Sequence, residues 1–394
     1  MQASATLFSQ ITSGLFPSEF SRLLQKHPAS KPPRGITEYD HFLALCFGQL
    51  TYRESLRDIV ACLNSKPHLL YHLGFRGNIT RTNLAYANKN RDWRLFQGVA
   101  QLLMRRAANL YREDGPGVAV PGLVFALDSS MISLALNLFP WAHYVRSGQA
   151  AVKLHLMLSL KGNLPAWAVI TGNKIGDMRM LDEIPIHPGA HYIMDRGYMD
   201  FVRLYRLHRA GGLFVVRCTK AVSFQTVERK GVEKRDGIRC DQIVKLKSSW
   251  SEKSYPELMR RIRSWDSETK KEVVLLTNNC LSTPVVIAQL YKKRWQVELF
   301  FKWIKQHLRL RAFYGRSENS VRCQIWSAIC AYLLVAILKK RIGLEKSLNE
   351  ILQVTSVGVF DQTPANIVFT EGPEIKTSTD NETQKQTLFE FNML

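Results

Sequence analysis

Two apolar runs that each stop at a carboxylate constrain this chain more than any other feature. Val118 to Asp128 reads VAVPGLVFALD, and Ala190 to Met194 reads AHYIM and is followed by Asp195. Short apolar runs of this kind suit strands buried in a sheet that is layered with helices. The core of such a sheet cannot hold a bare carboxylate, so an acid at a strand end commonly faces a ligand. Taken singly, each acid also fits a turn aspartate or a helix cap.

The patterning around these runs divides the chain. Residues 1 to 116 have helical periodicity through Phe42 to Leu50 and Leu56 to Leu63. The break Ser65-Lys66-Pro67 and the apolar group Leu69 to Phe75 come next. Thr80 or Thr82 then stands where it would cap a helix over RTNLAYANKNRDWRLFQGVAQLLMRRA. Short helices followed by a polar-faced helix fit a helix-turn-helix-like DNA reader. A plain helical bundle with a solvated basic face fits as well. The linker REDGPG, Arg112 to Gly117, ends this all-α N-terminal domain.

An α/β domain over 117–345 is expected next. Val152 to Leu160 and Ala166 to Thr171 read as strands joined by the turn KGNLP, with Ala190 to Met194 and Leu213 to Cys218 as further strands around a helix near Met199 to Ala210. The stretch at about 219–280, with alternating segments such as Ile238 to Leu246 and the strand Val273 to Leu276, reads as a β-rich insertion. Ser282 or Thr283 caps the following helix, with Pro284 in its first turn. A second helix over about 322–341 precedes a C-terminal extension, 346–394. Its tail from about Glu371 is polar and reads as disordered.

The helix after Pro284 contains YKKRWQVELFFKWIK. At 3.6 residues per turn Tyr291, Arg294, Glu298, Lys302 and Lys305 share one face, opposite Val297, Phe301, Ile304 and Leu308. One reading is a solvated face of i,i+4 pairs, each contributing about 0.2–0.5 kcal/mol. The other is an acid held among bases at a site that handles a metal and a phosphate backbone. Asp128, Asp195 and Glu298, if brought together, would repel unless a divalent cation sat between them. Hard oxygen donors select Mg²⁺ or Mn²⁺, and two such ions about 3.5–4 Å apart serve phosphodiester transfer.

Charge points the same way. The formal net charge of +21 implies a polyanionic partner, with nucleic acid first and an anionic membrane as the rival. The longest apolar run, Ile325 to Leu338, is too short to span a bilayer and reads as a buried or surface-lying helix. MQASATLFSQ lacks the pattern of a signal peptide. Seven scattered cysteines without a CxxC read as reduced, buried thiols of a cytoplasmic protein.

These motifs resemble the bacterial insertion-sequence DDE transposases of the hairpin-forming, cut-and-paste type (the insertion sequence 4 type). LVFALDSS with Asp128 matches the first acidic region, and YIMDRGYMDF with Asp195 matches the second. The Tyr-x2-Arg-x3-Glu-x6-Lys signature is filled by Tyr291, Arg294, Glu298 and Lys305. AVKLHLMLSLKGNLPAWAVITGNKIGD looks like the segment between the two acids, and HFLALCFGQLTYRESLRDI with YHLGF like the domain before the core in one branch. Many relatives have His before the final Asp of that segment; Gly176 stands here, and Asp177 is given no role.

The resemblance implies a ribonuclease H-like core with a β-rich insertion. It implies two metal ions on Asp128, Asp195 and Glu298, and double-stranded DNA (terminal inverted repeats and target) as substrate. It also implies a homodimer that holds two ends, with a nucleoid-associated location when DNA is bound. Tyr291, Arg294 and Lys305 would grip phosphates, and Lys302 and Arg196 are weaker candidates for the same work. Trp295 suits either base stacking or, preferably, the core; His155 and His191 read as structural. A haloacid-dehalogenase-like phosphatase would want an Asp where Ser130 stands. A DNA-binding protein or nuclease derived from a transposase is the alternative.

Overall fold

The computed structural model describes residues 5–28, 35–135, 137–144, 149–172, 174–219, 221–233, 236–267, 270–307 and 312–370. The polar tail and Leu308 lie outside these residues. Six helices come first: α1 (Leu7–Thr12), α2 (Pro17–Lys26), α3 (Glu38–Leu50), α4 (Leu56–Asn64), α5 (Arg81–Asn90) and α6 (Trp93–Leu110). The single helix expected from residue 80 onward is in fact α5 and α6. Thr80 caps α5, accepting from Asn83 N. Arg91 then turns extended, its guanidinium bonded to the carbonyls of Ile36 and Thr37, and the Asp92 side chain caps α6.

Ten strands follow: β1 (Val124–Leu134), β2 (His143–Tyr144), β3 (Gln149–Ser159), β4 (Leu164–Gly172), β5 (His191–Met194), β6 (Leu213–Arg217), β7 (Phe224–Lys230), β8 (Ile238–Leu246), β9 (Met259–Asp266) and β10 (Lys271–Thr277). Helix α7 (Phe201–Arg209) joins β5 to β6, and α8 (Ser249–Ser254) joins β8 to β9. After β10 come α9 (Pro284–Lys293), α10 (Trp295–His307), α11 (Glu318–Arg341), α12 (Leu348–Gly358) and α13 (Ala365–Thr370). The strands form one mixed α/β sheet in the order β2-β3-β1-β5-β6-β10-β9-β8-β7, with β4 also on β3. β1, β5 and β6 are parallel; the other pairings are antiparallel. The strands of the expected β-rich stretch therefore extend the same sheet through β10.

Strand alternation assigns the two faces. Val124, Ala126, Ile193 and Val215 join the core formed with α3, α6, α10 and α11, whereas Phe125, Leu127, Tyr192, Met194 and Phe214 pack with Leu204 and Leu207 of α7. At the centre of the first core is α11. It is 24 residues long and apolar enough to cross a membrane, so the sequence estimate based on Ile325 to Leu338 alone was too short. What decides its place is burial: 94% of its apolar window is enclosed by protein. A helix apolar all round belongs inside, and α1, α3, α5, α6 and α12 pack on it.

All seven cysteines are free. Cys46, Cys323 and Cys330 are buried, but Cys280 is exposed, against the expectation that all are enclosed.

Candidate active site

The first acid is not at a strand end. β3 goes on pairing with β1 to Leu134↔Ala150, so β1 continues six residues past Asp128. The parallel ladder to β5 stops earlier, at Ala126↔Ile193. Two residues beyond that pair stand Asp128, still in β1 and on the face of Ala126, and Asp195, just past the end of β5 and close enough for its charge to act on Asp128. Helix α10, which carries Glu298, packs against β1 and β3 on that face.

Asp195 does follow the last residue of its strand. Its carboxylate caps a 3₁₀ turn at Arg196–Tyr198, accepting from Gly197 N at 2.8 Å. A Cβ on residue 197 would lie 3.0 Å from Asp195 Oδ1, so the glycine leaves room for the carboxylate.

The helix expected over 291–305 is broken. Arg294 is a turn residue between α9 and α10, and the chain tightens there: Arg294 N donates to Tyr291 O and Val297 N to Arg294 O. Thr283 caps α9. The break lets the Arg294 guanidinium reach across to β1. It donates to Asp128 Oδ2 at 3.1 Å and, through its other terminal nitrogen, to Glu298 Oε1. Its Cζ also stands 5.9 Å from the Tyr291 ring centroid. Val297, Phe301 and Ile304 are buried beneath, as expected. Lys305 is half-buried, and burial lowers its pKa. Lys302 and Arg196 are exposed. Trp295 is 56% exposed, which overturns the preferred core reading: at 3.6 residues per turn it lies off the buried stripe of Leu290, Val297, Phe301 and Ile304.

The acids feel one another. Burial pushes the Asp128 carboxyl up to about 6; Ser129 N and Arg294 oppose the rise, and the charges of Asp195 and Glu298 add to it. Burial also raises the Tyr291 phenol, against Arg294 and Arg217. Arg217, at the end of β6, is thus a further cation near the site that no sequence motif marked.

Asp177 is a second residue that sequence reasoning passed over. It opens a 3₁₀ turn, and its Oδ1 receives Ser129 Oγ at 2.5 Å and Lys153 Nζ at 2.7 Å. His155 Nδ1 is 3.5 Å from the same oxygen, while its Nε2 meets Thr171 Oγ1 at 2.9 Å. His191 is likewise buried, its Nε2 3.1 Å from Asn279 Nδ2. Ser129, Lys153 and His155 alternate out of phase with Asp128 and line the opposite sheet face. The only signal for Asp177 in the chain was its place at the end of the matched segment.

Three carboxylates of this kind suit a hard divalent cation. Among the described residues no three metal-ligating side chains are closed into a ready cage, since Arg294 stands between Asp128 and Glu298. The donor chemistry fits such an ion once that guanidinium gives way.

Comparison with known proteins gives the same picture. Residues 121–334 match the family described as transposase DDE domain, and residues 3–76 match a domain of unknown function. A protein described as transposase y4zB from Sinorhizobium fredii is 32% identical over 64% of this chain and 70% of its own length. A transposase of insertion sequence element IS4SA from Synechocystis is 26% identical over 70% and 76%. A solved structure titled as a piggyBac transposase synaptic complex with hairpin DNA aligns at a TM-score of 0.45 and 10% identity, over 95% of this chain and 84% of that one. With more than half its length in that family match, the chain belongs to the DDE transposases.

Proposed function

We propose that this transposase cuts the terminal inverted repeats of a bacterial insertion sequence and joins them to target DNA by a cut-and-paste route with a hairpin intermediate. The observation that supports the reading is that Asp128 and Asp195 each stand two residues beyond the last β1–β5 pair, with Arg294 linking Asp128 to Glu298. The core is read as ribonuclease H-like. Three antiparallel strands, β4-β3-β1, lead into the parallel pair β5-β6, and the strands at about 219–280 are an insertion that prolongs the sheet.

Asp128, Asp195 and Glu298 would hold the divalent cations, Mg²⁺ or Mn²⁺ and two in number; when bound, these supply charge stabilisation at the scissile phosphate and an activated oxygen. Water breaks the first P–O bond and leaves a 3′-hydroxyl. That hydroxyl displaces the opposing strand's oxygen to close the hairpin; after reopening it attacks target DNA. Arg294 and Tyr291 orient the phosphates, with Lys305 behind them and Lys302 and Arg196 at the rim. Trp295, being exposed, is free to stack on a displaced base.

Residues 1–116 are read as the DNA-binding domain, 117–345 as the catalytic domain and 346–394 as an extension. Holding two ends calls for a homodimer, and a cytoplasmic, nucleoid-associated location follows from the substrate.

The test uses a duplex carrying the element's end. Asp128→Asn, Asp195→Asn and Glu298→Gln should each abolish Mg²⁺-dependent cleavage while binding persists. Normal cutting by any of them removes that residue from the site, and cutting without joining in the parent protein points to a nuclease.

A further inference from the structure

A basic surface far along the chain from the three acids has no role in the chemistry above. The outward face of α5 carries Arg81, Thr82, Ala85, Tyr86 and Lys89, all exposed and all at helical spacing. No acid lies on this helix. Residues 53–94 hold eight Arg and Lys (53, 57, 66, 76, 81, 89, 91, 94) against three acids (54, 58, 92). Among the described residues, the side chains of Arg57, Arg81 and Lys89 have no hydrogen-bond or ion-pair partner. At the head of α5 a cavity of 520 Å³ opens between α4 and α5, lined by Arg57 and Arg81 together with Asp58 and Tyr314. A cation in the first turn of a helix opposes the macrodipole, so Arg81 is poorly placed for folding alone.

The back of α5 is fixed. Leu84, Ala87 and Asn88 are buried. Asn319 Nδ2 of α11 donates to the carbonyls of Asn88 and Arg91 at 3.1 and 2.7 Å, and Ser320 Oγ donates to Asn88 O at 3.0 Å. Tyr314, between α10 and α11, donates to Arg53 O at 2.9 Å. α5 is therefore tied to α11, whose Tyr332 in turn packs against Phe300 and Trp303 of α10, the helix that bears Glu298.

We propose that α5 is a duplex-DNA reader lying in the major groove, with Thr82, Tyr86 and Lys89 toward the base edges and Arg57 and Arg81 holding a backbone phosphate at the cavity mouth. The inference rests on the transposase reading and names the surface that selects its substrate. The major groove admits one α-helix. The face offers cations and hydrogen-bonding groups, with only Ala85 and the Tyr86 ring apolar, which suits a polyanion and not a lipid surface. Fixing α5 to α11 sets the distance from the sequence read to the phosphate cut.

The experiment measures binding of the full chain, by fluorescence anisotropy across a salt series, to a duplex with the element's end and to a scrambled duplex of equal length. Arg57→Ala and Arg81→Ala should weaken both duplexes alike, each lowering the slope of log K against log salt by about 0.9. Tyr86→Ala and Lys89→Ala should cut the preference for the element's end at least about fivefold. All four side chains are exposed, so thermal unfolding should be unchanged. Variants with parental salt slope and preference overturn the α5 surface, while cleavage that still depends on Asp128 leaves the catalytic reading standing. A parent that neither prefers the element's end nor cuts it overturns both.

Discussion

Nη1 of Arg294 lies 3.1 Å from Oδ2 of Asp128, although 166 residues separate the two in the chain. The same guanidinium reaches Glu298, so one rigid fork spans two of the three acids. Burial works against its charge, but Tyr291, Asp128 and Glu298 together hold the Arg294 pKa above its usual value. Arg294→Ala removes a counter-charge and should raise the Asp128 carboxyl above about 6, read by carboxyl-resolved NMR titration of the metal-free protein. Cleavage should fall about 10²-fold. Arg294→Lys keeps the charge but not the fork and should recover only part of that loss.

The raised Asp128 carboxyl also has a stability sign. Its folded value, about 6, exceeds the ordinary aspartate value of 3.8, so the ionised form is disfavoured in the fold. That favourable contribution is full below about pH 4 and is lost as pH rises through 6. Asp128→Asn should therefore stabilise the metal-free protein at pH 8, by up to about 3 kcal/mol, and change little at pH 4. Urea midpoints at the two pH values decide it; equal effects at both would refute the assignment of burial as the cause.

Gly197 offers a finer probe of Asp195. Alanine there brings Cβ to 3.0 Å from the capping carboxylate oxygen, which must shift by a few tenths of an ångström. Mn²⁺ affinity measured by calorimetry should drop about tenfold with the fold intact. Gly172→Ala, where a Cβ meets nothing within 4 Å, should leave it unchanged.

The acids and the Tyr-Arg-Glu-Lys spacing were legible because local periodicity marks them. Strand positions such as Leu213 to Cys218 were close to β6 for the same reason. The break at Arg294 was not. No glycine or proline marks it, and its guanidinium answers to Asp128 on another element. The buried stripe of Leu290, Val297, Phe301 and Ile304 runs through that turn in one phase, and Trp295 lies off it. Asp177 was hidden similarly, since Ser129 and Lys153 come from separate strands.

The Asp177–Lys153 pair is partly buried, with Lys153 only 14% exposed. Asp177→Leu strands the ammonium and should cost about 1–3 kcal/mol. Adding Lys153→Met removes the unpaired charge and should recover most of it. A double-mutant cycle on urea midpoints measures the coupling; additive losses would mean the pair contributes nothing.

Buried histidines set the acid limit of the fold. His41 is fully enclosed on α3, edge-on to Phe96 at 5.1 Å between ring centroids. Burial, helped by Arg91 and opposed by Asn88, lowers it to about 3, and burial lowers His155 to about 4. Burial also lowers His191. The unfolded chain takes up these protons below about pH 6.5 and the folded chain does not. Each group's contribution is thus complete above 6.5 and declines by about 1.4 kcal/mol per pH unit as the medium turns acid. Between pH 6 and 5 the His41 and His155 slopes add, and the raised Asp128 carboxyl opposes them. His41→Leu should remove up to about 1.4 kcal/mol of the decline over that interval, measured from urea midpoints. A variant that keeps the full slope would place the proton uptake elsewhere.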